Sequence, residues 1–126
     1  MKNFLVSGTP TTPLIQFDAK AGYLEIKGRS IPENSVAFYL PLYSVLDEYI
    51  DGSESKPKLN VIIQLEYYNS SSSVCILNVL KKLEALAKNG TTIKVKWVYE
   101  EDDEDTLNSG KNFEKIINLP FEMVKI

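Results

Sequence analysis

The stretch Lys58 to Gly90, KLNVIIQLEYYNSSSSVCILNVLKKLEALAKNG, changes its hydrophobic period halfway along. Leu59, Val61, Ile63 and Leu65 alternate along one face of an extended segment, and Ile62 on the other face suggests a central strand buried on both sides. After four serines the spacing lengthens to that of a helix: Ile76, Val79, Leu80, Leu83, Leu86 and Ala87 form a stripe, with Lys81, Lys82, Glu84 and Lys88 outside it. Asn89-Gly90 closes that helix. A strand running through a short polar turn into an amphipathic helix is half of a βαβ unit, and the flanking sequence supplies the rest.

On the amino-terminal side, LIQFDAKAGYLEIKGRS reads as two strands around a turn near Ala21-Gly22, with Leu24 and Ile26 alternating against Glu25 and Lys27. From Glu33 to Ile50, Val36, Tyr39, Leu40, Tyr43, Leu46 and Ile50 recur at helical spacing, and Asp51-Gly52 supplies a stop. Pro41 should interrupt or kink this helix, because it has no N–H and crowds the preceding turn. On the carboxyl-terminal side, Ile93, Val95, Trp97 and Tyr99 alternate with Lys94 and Lys96. A third helix follows over Thr106 to Ile117, and PFEMVKI offers a last strand. The order ββαβαβαβ predicts an α/β fold: a mixed sheet of about five strands, helices mainly on one face, and parallel pairing across the later crossovers. The 126 residues, 44% of them hydrophobic, suit one domain spanning the chain.

Composition narrows the functions. A net charge of −3 with 14 scattered lysines and arginines does not favour nucleic acid or an anionic membrane. Cys75 is the only cysteine, which rules out an intrachain disulfide and a multi-cysteine metal site, and its apolar neighbours point to a packed thiol. There is no histidine, so the commonest general base and the commonest metal ligand are both missing. No cofactor or metal is expected, and no enzymatic activity. The opening MKNFLVSGTP carries too short an apolar run for a signal peptide, and no stretch approaches spanning length; a cytoplasmic protein is expected.

The serines Ser70 to Ser73 fall where a helix begins, among unpaired N–H groups and a partial positive charge. Asn69 or any one of the four can cap that helix, contributing on the order of 1 kcal/mol, and composition favours this reading. A phosphate is also well tolerated at such a position, so a phosphorylatable hydroxyl is the alternative. A catalytic serine is disfavoured, since no base is at hand to activate it.

The segments GTPTTPLIQFD, GYLEIKGRSIPEN, LEYYNSSSS and VKWVYEEDDED, in this order and across nearly the whole chain, resemble the SiaC family of bacterial regulatory phosphoproteins, whose fold is like the STAS domain of anti-sigma-factor antagonists. The resemblance implies phosphorylation at the residue after the turn asparagine. Family members carry threonine there; the matching position here is Ser70. It further implies a partner switch: a serine/threonine protein kinase adds the phosphate, a PP2C-type phosphatase removes it, and the unphosphorylated form binds an effector, in the best-known systems a diguanylate cyclase of cyclic-di-GMP signalling. The partner-facing residues expected on this basis are Asn69, Ser71, Ser72 and Tyr68 at the turn, with Arg29, Glu33 and Asn34 of RSIPEN. Ser30 and Glu33 also have capping-box spacing for the first helix. Of Tyr67 and Tyr68, at most one should be core while the other borders the partner surface. The acidic run Glu100 to Asp105 reads as a solvated loop whose charges favour the start of the next helix, against the alternatives of a docking loop or an ion site. A STAS-like module that binds a small ligand or scaffolds a complex, without phosphorylation, is the competing function.

Overall fold

In the computed structural model, which describes residues 3–52 and 55–126, six strands form one sheet in the order β1-β2-β3-β4-β5-β6. Residues 1–2, part of the segment read above for a signal peptide, lie outside it. The elements are β1 (Asn3–Val6), β2 (Leu14–Asp18), β3 (Tyr23–Ser30), α1 (Ser35–Asp51), β4 (Lys58–Tyr68), α2 (Ser70–Lys88), β5 (Thr92–Tyr99), α3 (Glu104–Ile116) and β6 (Phe121–Lys125). From β2 onward this is the expected ββαβαβαβ. The addition is β1, whose short apolar run Phe4–Val6 pairs antiparallel with β2 and turns Phe4 toward the core.

Strand β4 lies inside the sheet, paired in parallel with β3 and β5, and β5 pairs in parallel with β6. The register stacks one inward row across the sheet: Ile15 against Ile26, Ile26 against Ile63, Ile63 against Trp97. All four are essentially sealed from solvent. Crossovers of one hand that advance in one direction place their helices on the same side, and this row is what they cover. The opposite side of β4 is less buried than expected: Asn60 is exposed, and Ile62 and Gln64 are only half-buried. Cys75 is a buried free thiol, as its neighbours suggest.

Helix α1 corrects the expected stripe and shows no interruption at Pro41. Its buried stripe is Ser35, Tyr39, Leu42, Leu46 and Tyr49, while Val36 and Leu40 point outward. Both Pro41 and Ala37, whose carbonyl loses its usual amide partner, sit on the exposed side, where water can serve instead. The seam between α1 and α2 is polar at its rim. Tyr43 donates to the Cys75 carbonyl at 3.0 Å, and Lys82 pairs with Asp47 at 2.6 Å.

Trp97 fixes α3. Its indole N–H donates to the Thr106 carbonyl at 2.8 Å, and its ring meets Phe113 at 5.4 Å between centroids. Gly110 lies flat on the indole: a Cβ there would come within 2.4 Å of Cδ1. Gly110→Ala should therefore destabilise the protein by about 1–3 kcal/mol through overpacking, even though alanine is the better helix former. Urea unfolding followed by Trp97 fluorescence measures this; a stabilised variant would show that α3 is free to lift from the sheet.

Candidate functional site

Because β3, β4 and β5 run parallel, the three turns that follow them open at one edge of the sheet. Each turn leads into a helix, and each helix is capped by the side chain just before it. Asn34 accepts the Ala37 N–H at 3.0 Å, Asn69 accepts the Ser72 N–H at 2.9 Å, and Asp103 accepts the Thr106 N–H at 3.0 Å. The capping box proposed for Ser30 and Glu33 is thus replaced by Asn34, because Ser30 is still in strand β3 and fully buried. Asn69, not a serine, caps α2. The acidic run ends in a cap of its own, Asp103, with Glu104 and Asp105 in the first turn of α3, where the helix dipole favours them. Among the described residues no group of three or more candidate ligands is placed to hold a metal ion.

The four serines occupy four different environments. Ser70, the first residue of α2, is exposed, and its hydroxyl makes no hydrogen bond to any of the described residues. Ser71 is exposed but engaged, Ser72 is fully enclosed, and Ser73 is half-buried. Ser35 is the counterpart of Ser70 on α1, again the first helical residue after a capping asparagine. It is nevertheless buried and bonded to Ser71 at 2.8 Å and to Ser72 at 3.2 Å. Two helices with the same Asn-Ser start present their first hydroxyl oppositely, one inward and one to solvent.

Behind the turn lies a continuous row of hydroxyls. Tyr39 and Ser30 are 2.8 Å apart, Ser30 donates to Ser72 at 2.8 Å, Ser72 and Ser35 are 3.2 Å apart, and Ser71 donates to the Asn69 Oδ1 at 3.2 Å. The row joins the end of β3 to the first turns of both helices. A backbone bond from the Asn69 N–H to the Ser30 carbonyl, 3.1 Å, ties the same two segments. No buried side-chain nitrogen or oxygen among the described residues lacks a partner.

The expected partner-facing residues divide. Asn69 and Ser71 stand beside Ser70, and Glu33 and Asn34 are exposed at the neighbouring helix start. Arg29 is exposed one residue before Ser30, opposite Tyr67 in the β3–β4 register. Ser72 does not belong to this surface: it is sealed, and its hydroxyl is used by Ser30 and Ser35. Tyr67 is exposed, whereas Tyr68 is half-buried, edge-on to Trp97 at 6.4 Å. A register shift explains which tyrosine turns inward. Gly28 pairs with Leu65 and Arg29 with Tyr67, so Glu66 is an extra residue that re-aims the strand end. Ser30, Ser35 and Tyr39 were not among the expected site residues. Their only signal was a hydroxyl at a core-facing position of a strand or helix, which reads as ordinary until the three are seen to converge.

Residues 6–126 match the family described as SiaC family regulatory phosphoprotein. An uncharacterized protein of Pseudomonas aeruginosa strain UCBPP-PA14 is 27% identical over 121 residues, covering 96% of this chain and 94% of its own length. Among solved structures, SiaC of Pseudomonas aeruginosa superposes with a TM-score of 0.88 at 25% identity, with both chains fully covered. A chain in the crystal structure of the diguanylate cyclase SiaD in complex with its activator SiaC, from the same organism, superposes with a TM-score of 0.89 at 26% identity over 98% of this chain and 99% of that one.

The hydroxyl row carries a pH signature. Burial pushes the Tyr39 phenol from 10.0 up to about 12. Its folded-state value thus lies above its unfolded one, so its contribution to stability is complete below pH 10.0 and is lost as pH rises toward about 12. The loss amounts to about 2–3 kcal/mol at 1.4 kcal/mol per pH unit. Tyr39→Phe should flatten that part of the alkaline stability curve. Urea midpoints between neutral pH and pH 11 test this, and parallel curves for the two proteins would mean that Tyr39 ionises without cost.

Proposed function

The chain belongs to the SiaC family of regulatory phosphoproteins, and from that premise we propose that it works, as a single domain, as a phosphorylation-controlled partner switch with Ser70 as its phosphoacceptor. A serine/threonine protein kinase adds the phosphate and a PP2C-type phosphatase removes it. The unmodified form binds an effector and activates it, and we infer a diguanylate cyclase, since SiaC of Pseudomonas aeruginosa is the activator in a complex with the diguanylate cyclase SiaD. The protein acts by binding.

The observation that carries this reading is the contrast among the hydroxyls. Ser70 alone of the four serines is both exposed and unengaged while standing at the very start of α2. Asn69 already caps the helix, so the Ser70 hydroxyl is not needed there. A dianion on it would meet the free amides and dipole of the first turn and leave the fold intact. The same dianion would lie in a turn whose own neighbouring side chains, Asn69 and Ser71, are neutral, with Glu33 exposed at the adjacent helix start. Val36, Leu40 and Val74, all exposed within the first two turns of α1 and α2, add apolar area nearby. A partner shaped to that neutral turn would have to desolvate the phosphate without pairing it, which opposes docking.

Ser70→Ala should change stability by no more than about 0.5 kcal/mol, because no hydrogen bond or cap is lost. It should also hold the protein in its activating form. Intact-mass and fragment analysis of protein from its own cells should place one phosphate on Ser70. The functional test is cyclic-di-GMP synthesis from GTP by the purified diguanylate cyclases of the source organism. Each is assayed with unmodified protein, with Ser70→Ala, and with protein carrying phosphoserine at 70. One cyclase should be stimulated by the first two and not by the third. Equal effect of all three on every cyclase, at equal melting temperature, would overturn the switch.

A further inference from the structure

The hydroxyl row has a fixed polarity, which follows from proton counting. Each serine or tyrosine hydroxyl has one proton to donate. Asn69 Oδ1 can only accept, and it takes the Ser72 N–H, which identifies it as the amide oxygen. Ser71 therefore spends its proton on Asn69. The Ser35–Ser71 bond must then be donated by Ser35, and the Ser35–Ser72 bond by Ser72. Ser30 donates to Ser72, which leaves Tyr39 to donate to Ser30. The row runs one way, from Tyr39 through Ser30, Ser72, Ser35 and Ser71 to Asn69, and it delivers a hydroxyl proton to the surface one residue from Ser70.

We propose that this row couples the chemical state of Ser70 to the first turn of α1, with Ser71 as the donor that changes partner and Ser35 as the positioning residue on the other helix. The proposal rests on Ser70 being the residue that changes state. Ionised phosphate oxygens are stronger acceptors than the amide oxygen of Asn69. With phosphate on the adjacent residue, the Ser71 hydroxyl turns to it without any reversal of the row. The turn draws Ser71 away from Ser35, 2.8 Å distant in the unmodified protein. Ser35 is 4% exposed, so its proton, once abandoned, is poorly reached by water and costly to leave unpaired. The first turn of α1 must then shift to satisfy it. Because the links lie on two helices whose exposed faces flank the same edge, modification of α2 would alter the shape of α1 as well as the charge on α2. A cap or a purely electrostatic switch has no such reach.

Amide hydrogen exchange by NMR on the full chain tests this, comparing serine with genetically encoded phosphoserine at 70 in the wild-type and Ser71→Ala backgrounds. Ser71→Thr, which keeps the hydroxyl, serves as rescue, and Val79→Ala as a control that loses stability elsewhere on α2. The amides to follow are those of Ala37 and Phe38, which bond the Asn34 side chain and carbonyl. In wild type, phosphoserine should change their exchange by about fivefold, the effect of losing one hydrogen bond on an opening equilibrium. Ser71→Ala should reduce that response to less than about twofold while the response at Ser72 and Ser73 persists, and Ser71→Thr and Val79→Ala should retain it. No response in wild type, or an undiminished one in Ser71→Ala, overturns the coupling. Since the phosphate is installed directly, a failure to find it on Ser70 in cells would refute the phosphoacceptor assignment separately.

Discussion

The parallel pairing of β3 with β4 is the constraint on which the rest of the site depends. Two adjacent parallel strands that each lead into a helix must start those helices side by side at the same edge. Nothing in the Asn-Ser turns themselves would bring residues 35 and 71 together; the strands do it. The extra residue at Glu66 refines the arrangement, because without it the β4 end would turn Tyr67 toward the helices and Tyr68 away. With it, Tyr68 lies against Trp97, and Asn69 reaches back to the Ser30 carbonyl. The end of the strand and the start of the helix are therefore anchored from both sides, leaving Ser70 as the outward corner.

The core at this end is lined by hydroxyls: Ser30, Ser35, Ser72 and Tyr39 are all buried. A buried hydroxyl without a partner is costly, and one that both donates and accepts is close to neutral. The row is tolerable only because every member is satisfied, and its members depend on one another. Such a network adds little net stability, but it admits far fewer arrangements than an apolar contact of the same size. It specifies how the two helix starts sit against each other.

Much of the fold could be read from the sequence. The alternation in β4, the stripe of α2 and the Lys94–Lys96 pattern of β5 each match one period and no other, so tertiary packing had little to override. The misses have physical causes. Strand β1 offers three apolar residues, too few to show a period, and exists because β2 has an edge for it to complete. The stripe of α1 was rotated because Val36 and Leu40 are as apolar as the residues that pack, and only contacts distant in sequence, Tyr39 with Ser30 and Tyr49 with Phe17 among them, decide which side is inward. Asn69 and Ser70 were legible as a turn and a helix start, since capping is local chemistry. The cap of α1, expected from Ser30 and Glu33, falls to Asn34 because Ser30 is still in the strand. Ser30, Ser35, Ser72 and Tyr39 were not legible as a row, because a buried hydroxyl announces itself only through partners that are far away in sequence. The inclusion of Ser72 on the expected surface fails for that reason: four identical residues carry no mark of which one points inward.

The third turn along the same edge indicates how the fold treats negative charge there. Asp103, Glu104 and Asp105 crowd the start of α3, where Asp103 bonds both the backbone N–H and the hydroxyl of Thr106. A helix start at this edge therefore accommodates several carboxylates, as expected from its free amides and dipole. The start of α2 is the opposite case, with no acidic residue in its first turn. A phosphate on Ser70 would bring α2 close to the electrostatic condition that α3 already has. The cost of that charge would thus fall mainly on whatever docks against the neutral turn and very little on folding, which is the separation a reversible switch needs.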